Sequence, residues 1–304
     1  YGVAEGGKPM KVIVPSFSAS LIGQSTPIAG ATVTVSVTLT ANIDFPTGSK
    51  VTIVGLTGTL TTNNNVLAVL STDGSANGQF GTSGLWTQST GTLALTAGNG
   101  GASQGATYTV RFDLQQGEIE QAAPLVRIAA TIKDGSTAIG SIEPSVMSTD
   151  AVGLYGVAEG GKPMKVIVPS FSASLIGQST PIADTTVTMS VTLTANIDFP
   201  TGSKVTIVGL TGTQTADSVS LPVPSTSNRL GTAGVWTQST GQLVLTAANG
   251  GTSQGVACTV TFDLRHAAAE YTPPSVSVMA AIKDGSTVLG SIAQVAMTPP
   301  NTPL

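Results

Sequence analysis

The stretch "ATVTVSVTLT" at residues 31–40 decides the fold class, because hydroxyl and aliphatic side chains alternate along it. Nearly the same stretch, "TTVTMSVTLT", returns at residues 185–194. Successive side chains of a β-strand point to opposite faces, so the pattern predicts one buried row and one solvent-facing row. The predicted buried row is Val33, Val35, Val37 and Leu39, and the predicted outer row is Thr32, Thr34, Ser36, Thr38 and Thr40.

The chain consists of two copies of one unit. "YGVAEGGKPMKVIVPSFSASLIGQSTPIA" begins at Tyr1 and returns unchanged at Tyr155. The copies differ in length and composition at residues 60–80 and 214–230, which are rich in turn-forming residues and are expected to form exposed connections. The repeat predicts two domains, residues 1–154 and 155–304.

The repeat boundary also suggests how copies are joined. Leu154 corresponds to Leu304, so the sequence ends where a further copy would begin. We expect either a longer array or identical subunits that meet head to tail. A head-to-tail contact that does not close a ring gives a linear polymer.

Each copy is predicted to be all-β. Period-two runs rich in β-branched residues, such as "KVTIVGL" and "TYTVRFDL", alternate with turn signals such as "FPTGS" and "KDGS". The pattern favours two tandem immunoglobulin-like β-sandwich domains of antiparallel Greek-key type, with about seven strands each. Residues 117–123 allow at most a short helical turn, and Trp86 and Trp236 are expected to pack in the cores.

The order of these segments resembles a known kind of repeat. "PSFSASLIGQSTPIAGATVTVSVTLTANIDFPTGSKVTIVGLTGT" is followed by "GLWTQSTGTLALTA" and "YTVRFDL". This succession resembles the immunoglobulin-like tandem β-sandwich repeats of large extracellular and cell-surface proteins of algae and other protists. The resemblance implies an extracellular, serially repeated β-sandwich, and it brings no catalytic residues.

Composition narrows the function classes. Only 9% of residues are charged and the formal net charge is −4, with no basic cluster, so nucleic acid is not an expected partner. No apolar run approaches the roughly 18 residues that span a bilayer. Uncharged polar residues must therefore hydrate the surface, which is unusual for a cytosolic protein. The resemblance implies an extracellular or cell-surface location.

The residues that usually carry catalysis are scarce. His266 is the only histidine, and Gln116 stands at its place in the first copy, so no histidine-based triad is possible in both copies. The single cysteine, Cys258, corresponds to Tyr108 and is interpreted as a buried filler. We expect neither an enzyme nor a cofactor or metal.

Carboxylates recur in both copies but stand in turns or near strand ends. Side-chain capping of the backbone explains these positions without chemistry. Glycoside hydrolysis and calcium binding are the alternatives. The recurring residues are Asp44, Asp113, Asp134, Asp198, Asp263 and Asp284.

The segment that opens each copy is the predicted assembly junction. "MKVIVP" is a strand-like run that follows the flexible "EGGKP", so it is suited to add an edge strand to the preceding domain. The expected partner is thus another copy of the chain, in a homopolymer. The junction residues are Met10, Lys11, Val12, Ile13 and Val14, and Met164, Lys165, Val166, Ile167 and Val168.

The outer hydroxyl rows leave several uses open. The alternatives are a solvated sheet face, a surface that binds ice or a sugar polymer, a contact with a neighbouring subunit, and attachment sites for covalent O-linked glycans. A separate alternative for the whole protein is an adhesin-like or carbohydrate-binding module that uses residues 60–80 and 214–230. The candidate O-glycosylation sites are Thr32, Thr34, Thr38, Thr272, Thr298 and Thr302.

Overall fold

The computed structural model describes residues 2, 6–71, 78–98, 100–224 and 227–299. The chain forms two compact units. The first unit comprises Tyr1–Leu154 and Ala158–Val168, and the second comprises Tyr155–Val157 and Pro169–Leu304. The sequence repeat begins at Tyr155, so most of the second copy's opening segment belongs structurally to the first unit.

The first unit is a sandwich of two mainly antiparallel sheets. One sheet has the order β11-β1-β2-β8-β5, and the other has the order β10-β9-β3-β7-β6-β4. Its strands are β1 (Phe17–Gln24), β2 (Thr32–Ala41), β3 (Lys50–Val54), β4 (Asn64–Ala68), β5 (Leu70–Ser71), β6 (Ser83–Thr87), β7 (Thr92–Thr96), β8 (Thr107–Gln115), β9 (Arg127–Asp134), β10 (Thr137–Val146) and β11 (Ser148–Thr149).

The alternating stretch of the sequence forms β2, between β1 and β8. Val33, Val35 and Val37 are 0% exposed, so the aliphatic row fills the space between the sheets as predicted. Trp86 packs into the same core, and its Nε1 donates a 2.9 Å hydrogen bond to the Thr61 carbonyl. The indole is therefore a core side chain with its one donor satisfied.

The connectivity is of Greek-key type, because strands distant in sequence are neighbours in each sheet. β2 pairs with β8, and β3 pairs with β9. Two short strands also lie in the sheet opposite to the strand that precedes them: β4 pairs with β6 but β5 pairs with β8, and β10 pairs with β9 but β11 pairs with β1. These crossings raise the strand number above the expected seven.

The second unit repeats this sandwich with sheets of order β12-β13-β18 and β15-β16-β17-β14-β19-β20. The immunoglobulin-like β-sandwich architecture is thus present in both copies. Its strands are β12 (Phe171–Gln178), β13 (Thr186–Ala195), β14 (Lys204–Val208), β15 (Ser218–Pro222), β16 (Ala233–Thr237), β17 (Gln242–Thr246), β18 (Cys258–Arg265), β19 (Ser277–Asp284) and β20 (Thr287–Ala296).

The described residues contain no α-helix, and the helical elements among them are two 3-10 turns, Gln88–Thr90 and Gln238–Thr240. Accordingly, no described helix meets the length and hydropathy that a membrane crossing requires. Residues 117–123 form an irregular connection with a β-bridge at Gln121. That connection is one wall of the site described next.

Candidate functional site

Residues 158–168 complete the core of the first unit. Met164 is 0% exposed and belongs to the same hydrophobic cluster as Val33. Val166 is 1% exposed, and its backbone N–H and C=O each form a 2.9 Å hydrogen bond with Gln121. Burying side chains of this size stabilises the unit by about 1.5–3 kcal/mol each. Residues 158–168, called the inserted segment below, are therefore an integral part of this sandwich.

The segment also pairs on its other side. Ile167 donates a 2.7 Å hydrogen bond to the Pro27 carbonyl and accepts one of 2.9 Å from the Ala29 N–H. The sequence predicts an edge strand over residues 164–168, whereas the structure forms isolated bridges at Val166 and Ile167. A tight turn precedes this stretch and Pro169 follows it, which limits the extended run to a few residues.

A buried glutamine binds the backbone of the inserted segment. The Gln24 Nε2 donates 2.9 Å hydrogen bonds to the Gly160 and Lys165 carbonyls, and its Oε1 accepts a 2.8 Å bond from the Met164 N–H. Gln116, which is 0% exposed, donates to the Gln24 Oε1 at 3.1 Å. These bonds fix the register of the segment, because the Gln24 amide binds particular backbone groups of Gly160, Met164 and Lys165.

The inserted segment carries an unusual turn. Lys165 donates a 3.2 Å backbone hydrogen bond to the Lys162 carbonyl, and Met164 has φ of 57°. Pro163 precedes this methionine, an arrangement that belongs to type II turns, where glycine is the usual residue at positive φ. A non-glycine residue there costs on the order of 1 kcal/mol. Burial of the Met164 side chain offsets that cost.

The opening segment of the first copy has the same sequence but a different environment. Met10 is 94% exposed, Val12 is 82% exposed and Val14 is 79% exposed. It forms the same turn, because Lys11 donates to the Lys8 carbonyl at 3.3 Å and Met10 has φ of 64°. The turn conformation is therefore a local property of this sequence.

The second unit contains a cavity of about 1010 Å³ at the place where the first unit holds residues 158–168. Val187, Leu210, Leu264 and Met297 line its apolar wall. Their counterparts in the first copy, Val33, Leu56, Leu114 and Met147, form one cluster with Met164. The cavity is therefore the groove of the first unit without the inserted segment.

Identical residues around the two grooves differ in exposure. Ile28 is 0% exposed and its counterpart Ile182 is 62% exposed. Gln24 is 8% exposed, while its counterpart Gln178 lies on the surface. The difference follows from the presence of residues 158–168 in the first groove, since the residues compared are the same.

Backbone groups of the second groove remain available. In the first groove the Pro27 carbonyl, the Ala29 N–H and both backbone groups of Gln121 bond to the inserted segment. Within the described part of the chain, their counterparts at Pro181, Ala183 and Tyr271 make no backbone hydrogen bond. The second groove thus presents unpaired donors and acceptors along its edges.

At two of the positions where the grooves differ in residue type, the hydrogen-bonding role is the same. The Gln116 Nε2 donates to the Thr26 carbonyl at 3.1 Å, and the His266 Nε2 lies 2.8 Å from the Thr180 carbonyl. The Tyr271 hydroxyl donates to the Thr211 carbonyl at 3.3 Å. Gln121 donates to the corresponding carbonyl in the first groove. His266 therefore has a structural partner in the groove wall.

The rim of the second groove carries an ion pair. The Arg265 guanidinium lies 3.0 Å from Asp184, and both side chains are more than half exposed. A hydrogen bond from Gln214 and the nearby Arg265 lower the pKa of the Asp184 carboxyl. Such an exposed ion pair adds little to the stability of the fold. It makes this rim of the groove polar.

The sequence pattern singled out both MKVIV segments, but it did not indicate the groove residues that bind residues 158–168. Gln24 lies in "IGQSTP", where a polar residue beside Ser, Thr and Pro indicates a connection and not a buried contact. Gln121 lies in residues 117–123, which allow a short helical turn, and Gln116 directly precedes that stretch. The one available signal was that Gln24 stands in the part of the repeat that is identical in both copies.

The outer hydroxyl row of β2 faces a matching row on β8. Thr34 donates a 2.6 Å hydrogen bond to Asp113, and Thr38 lies 2.9 Å from the Thr109 hydroxyl. Thr32 is exposed and bonds to Gln115 at 3.3 Å. These hydroxyls stabilise the sheet by cross-strand pairing.

The remaining candidate O-glycosylation sites lie in the second unit. Thr272 and Thr298 are exposed. The Thr298 backbone pairs with β12, since its C=O accepts a 2.9 Å bond from the Ile176 N–H. Thr302 lies outside the described residues. Glycosylation at all of these threonines stays a prediction.

The recurring carboxylates bond to the backbone and to side chains. Asp44 accepts a 2.7 Å hydrogen bond from the Gln104 N–H, and Asp198 accepts one of 2.6 Å from the Gln254 N–H. Asp284 accepts a 3.1 Å bond from the Tyr155 hydroxyl. Among the described residues, no group of three or more histidines, cysteines, aspartates or glutamates is placed to hold a metal ion.

Cys258 lies in the core of the second unit at 7% exposure, and burial raises the pKa of its thiol. In the first unit Tyr108 fills the corresponding position and contacts Phe80 edge to face at 5.8 Å. The thiol is less nucleophilic than a free cysteine, because the thiolate is the reactive form.

No family model and no curated protein matches the sequence. Among solved structures, the partial N-terminal region of enterococcal surface protein is 10% identical, with 99% of each chain covered and a TM-score of 0.31. The type II cohesin dyad of a scaffoldin from Acetivibrio cellulolyticus is 14% identical, with 90% of this chain and 92% of that chain covered and a TM-score of 0.25.

The collagen adhesin from S. aureus is 10% identical, with 98% and 96% covered and a TM-score of 0.25. All three structures come from bacteria, so they add nothing to the resemblance to algal and protist repeats. At these scores the likeness carries no argument about function.

Proposed function

We propose that the protein is a structural subunit of an extracellular filament or cell-surface stalk, whose copies are joined head to tail by their opening segments. One observation carries the proposal: residues 164–167 complete the sandwich of the first unit, while Met10 and Val12 of the identical opening segment are exposed to solvent. A segment with Met10 and Val12 almost fully exposed is stabilised by inserting into another sandwich, since its apolar surface is then removed from water.

The surface chemistry supports the extracellular part of the proposal. With 9% charged residues, hydration depends on hydroxyl, amide and backbone groups. Thr272 and Thr298 are exposed and stand beside prolines, so they are accessible positions for O-linked glycans. Glycans at these positions would hydrate the filament surface.

Electron microscopy and intact-mass measurement of the same concentrated sample test the proposal. We expect filaments with an axial period set by one or two sandwich domains, and a mass above that of the unmodified chain if glycans are present. Removal of residues 1–14 is expected to give folded monomers that do not polymerise. Filaments formed by this truncated chain would contradict the proposed junction.

An adhesin-like module is the alternative, and the edge strands β4 and β15 favour it. These strands lie where the copies differ most, and each exposes an apolar side chain: Val66 is 70% exposed and Val219 is 89% exposed. Glycan-array binding by the truncated monomer would support this alternative if Val66→Ser or Val219→Ser reduces it.

A further inference from the structure

The cavity of the second unit is lined by the counterparts of residues that hold residues 158–168 in the first unit. Resting on the proposed function, we infer that it takes residues 8–14 of a second copy of the chain, in the register that residues 162–168 adopt in the first unit. The two segments have the same sequence, so the filled groove provides the geometry of the vacant one.

The apolar wall of the cavity fits the methionine of that segment. In the first unit, Met164 packs in one cluster with Val33, Leu56, Leu114 and Met147. The second cavity keeps Val, Leu, Leu and Met at these positions, at Val187, Leu210, Leu264 and Met297. Met10 of the second copy is therefore the side chain that enters the cavity.

The polar edges of the groove match the backbone of the same segment. Val12 would exchange two hydrogen bonds with the backbone of Tyr271, as Val166 does with Gln121. Ile13 would pair with Pro181 and Ala183, as Ile167 does with Pro27 and Ala29. Gln178 would bond the segment's backbone through its amide, as Gln24 does in the first groove.

The free segment is already shaped for this groove. Met10 has φ of 64° and Met164 has φ of 57°, and both segments close the same lysine-to-lysine turn. Binding therefore does not have to impose the uncommon positive φ on methionine. A pre-formed turn lowers the entropy cost of association.

A labelled peptide tests the site in the full chain. The host is the 304-residue chain carrying Met10→Asp and Val12→Asp, which disables its own segment at two exposed positions. The probe is a fluorescent peptide with the sequence of residues 6–15, GGKPMKVIVP, followed by anisotropy. The control peptide carries the same two aspartates.

We expect saturable binding of one peptide per chain and none of the control peptide. Gln178→Ala in the host is expected to weaken binding about tenfold, because it removes the amide that bonds the peptide backbone. Gln294→Ala changes another exposed glutamine, outside the cavity lining, and should leave affinity unchanged. Hydrogen exchange should slow at the backbone amides of Ala183 and Tyr271, the counterparts of the Ala29 and Gln121 donors.

The outcomes separate this inference from the proposed function. Wild-type filaments without peptide binding to the host would overturn the inference and leave head-to-tail assembly standing. Peptide binding that depends on Gln178, with a wild-type chain that stays monomeric, would support the site and overturn the filament. A monomeric wild-type chain with a protected groove would assign the site to the chain's own segment and overturn the second copy as occupant.

Discussion

Residues 10–14 and 164–168 share the sequence MKVIV, yet Met10 is 94% exposed and Met164 is 0% exposed. Their backbones form the same turn, so local conformation does not distinguish them. The difference is whether a groove receives the segment. The groove of the first unit holds residues 164–168, and the matching groove of the second unit is open. The first unit therefore buries its copy of the segment, whereas the copy that opens the chain leaves Met10 and Val12 in solvent.

The same substitution in the two segments gives the largest expected contrast. Met164→Ala should destabilise the first unit by about 3 kcal/mol, because it leaves a void in a packed core. Met10→Ala should change the stability of the dissociated chain by less than about 0.5 kcal/mol, since the side chain is in solvent. Hydrogen exchange measured by mass spectrometry reports the first unit separately. Equal losses of stability for both variants would contradict the difference in burial between Met10 and Met164.

The sandwich itself was predictable, because its determinants are local and periodic. The alternation at residues 31–40 depends only on the two faces of a strand, and β2 buries the predicted row. Trp86 and Trp236 are buried, as their size and apolar surroundings indicate. The duplication of the MKVIV segment was equally evident, because the two copies are identical in sequence.

The groove was not predictable, because it depends on contacts between residues far apart in sequence. Gln24 is buried only because residues 160–165 return to it, and the identical Gln178 lies on the surface. No single-residue property distinguishes these two glutamines. The predicted edge strand was also too long, since the turn at Met164 and Pro169 limit the pairing to two bridges.

A glutamine pair sharpens the comparison at the level of hydrogen bonds. Gln24→Ala should destabilise the first unit by about 2 kcal/mol, because buried backbone groups of the inserted segment lose their partners. Gln178→Ala should cost less than about 0.5 kcal/mol in the dissociated chain, because water already solvates that amide. Denaturant unfolding of dissociated chains measures both. A large loss for Gln178→Ala would show that the second groove is already occupied.

The smallest expected effect concerns the tyrosine that opens the second copy. Burial and the hydrogen bond to Asp284 raise the pKa of Tyr155 from 10.0 to about 12. The unfolded phenol ionises near its ordinary value while the folded one stays protonated, so this contribution to stability is complete below about pH 10 and is lost as the pH rises toward about 12. The thermal unfolding temperature should therefore fall less steeply with pH across that window for Tyr155→Phe than for the wild-type chain. Lysines also titrate in this range, so the informative quantity is the difference in slope between the two chains. Identical slopes would mean that the hydrogen bond from the Tyr155 hydroxyl to Asp284 does not contribute to stability.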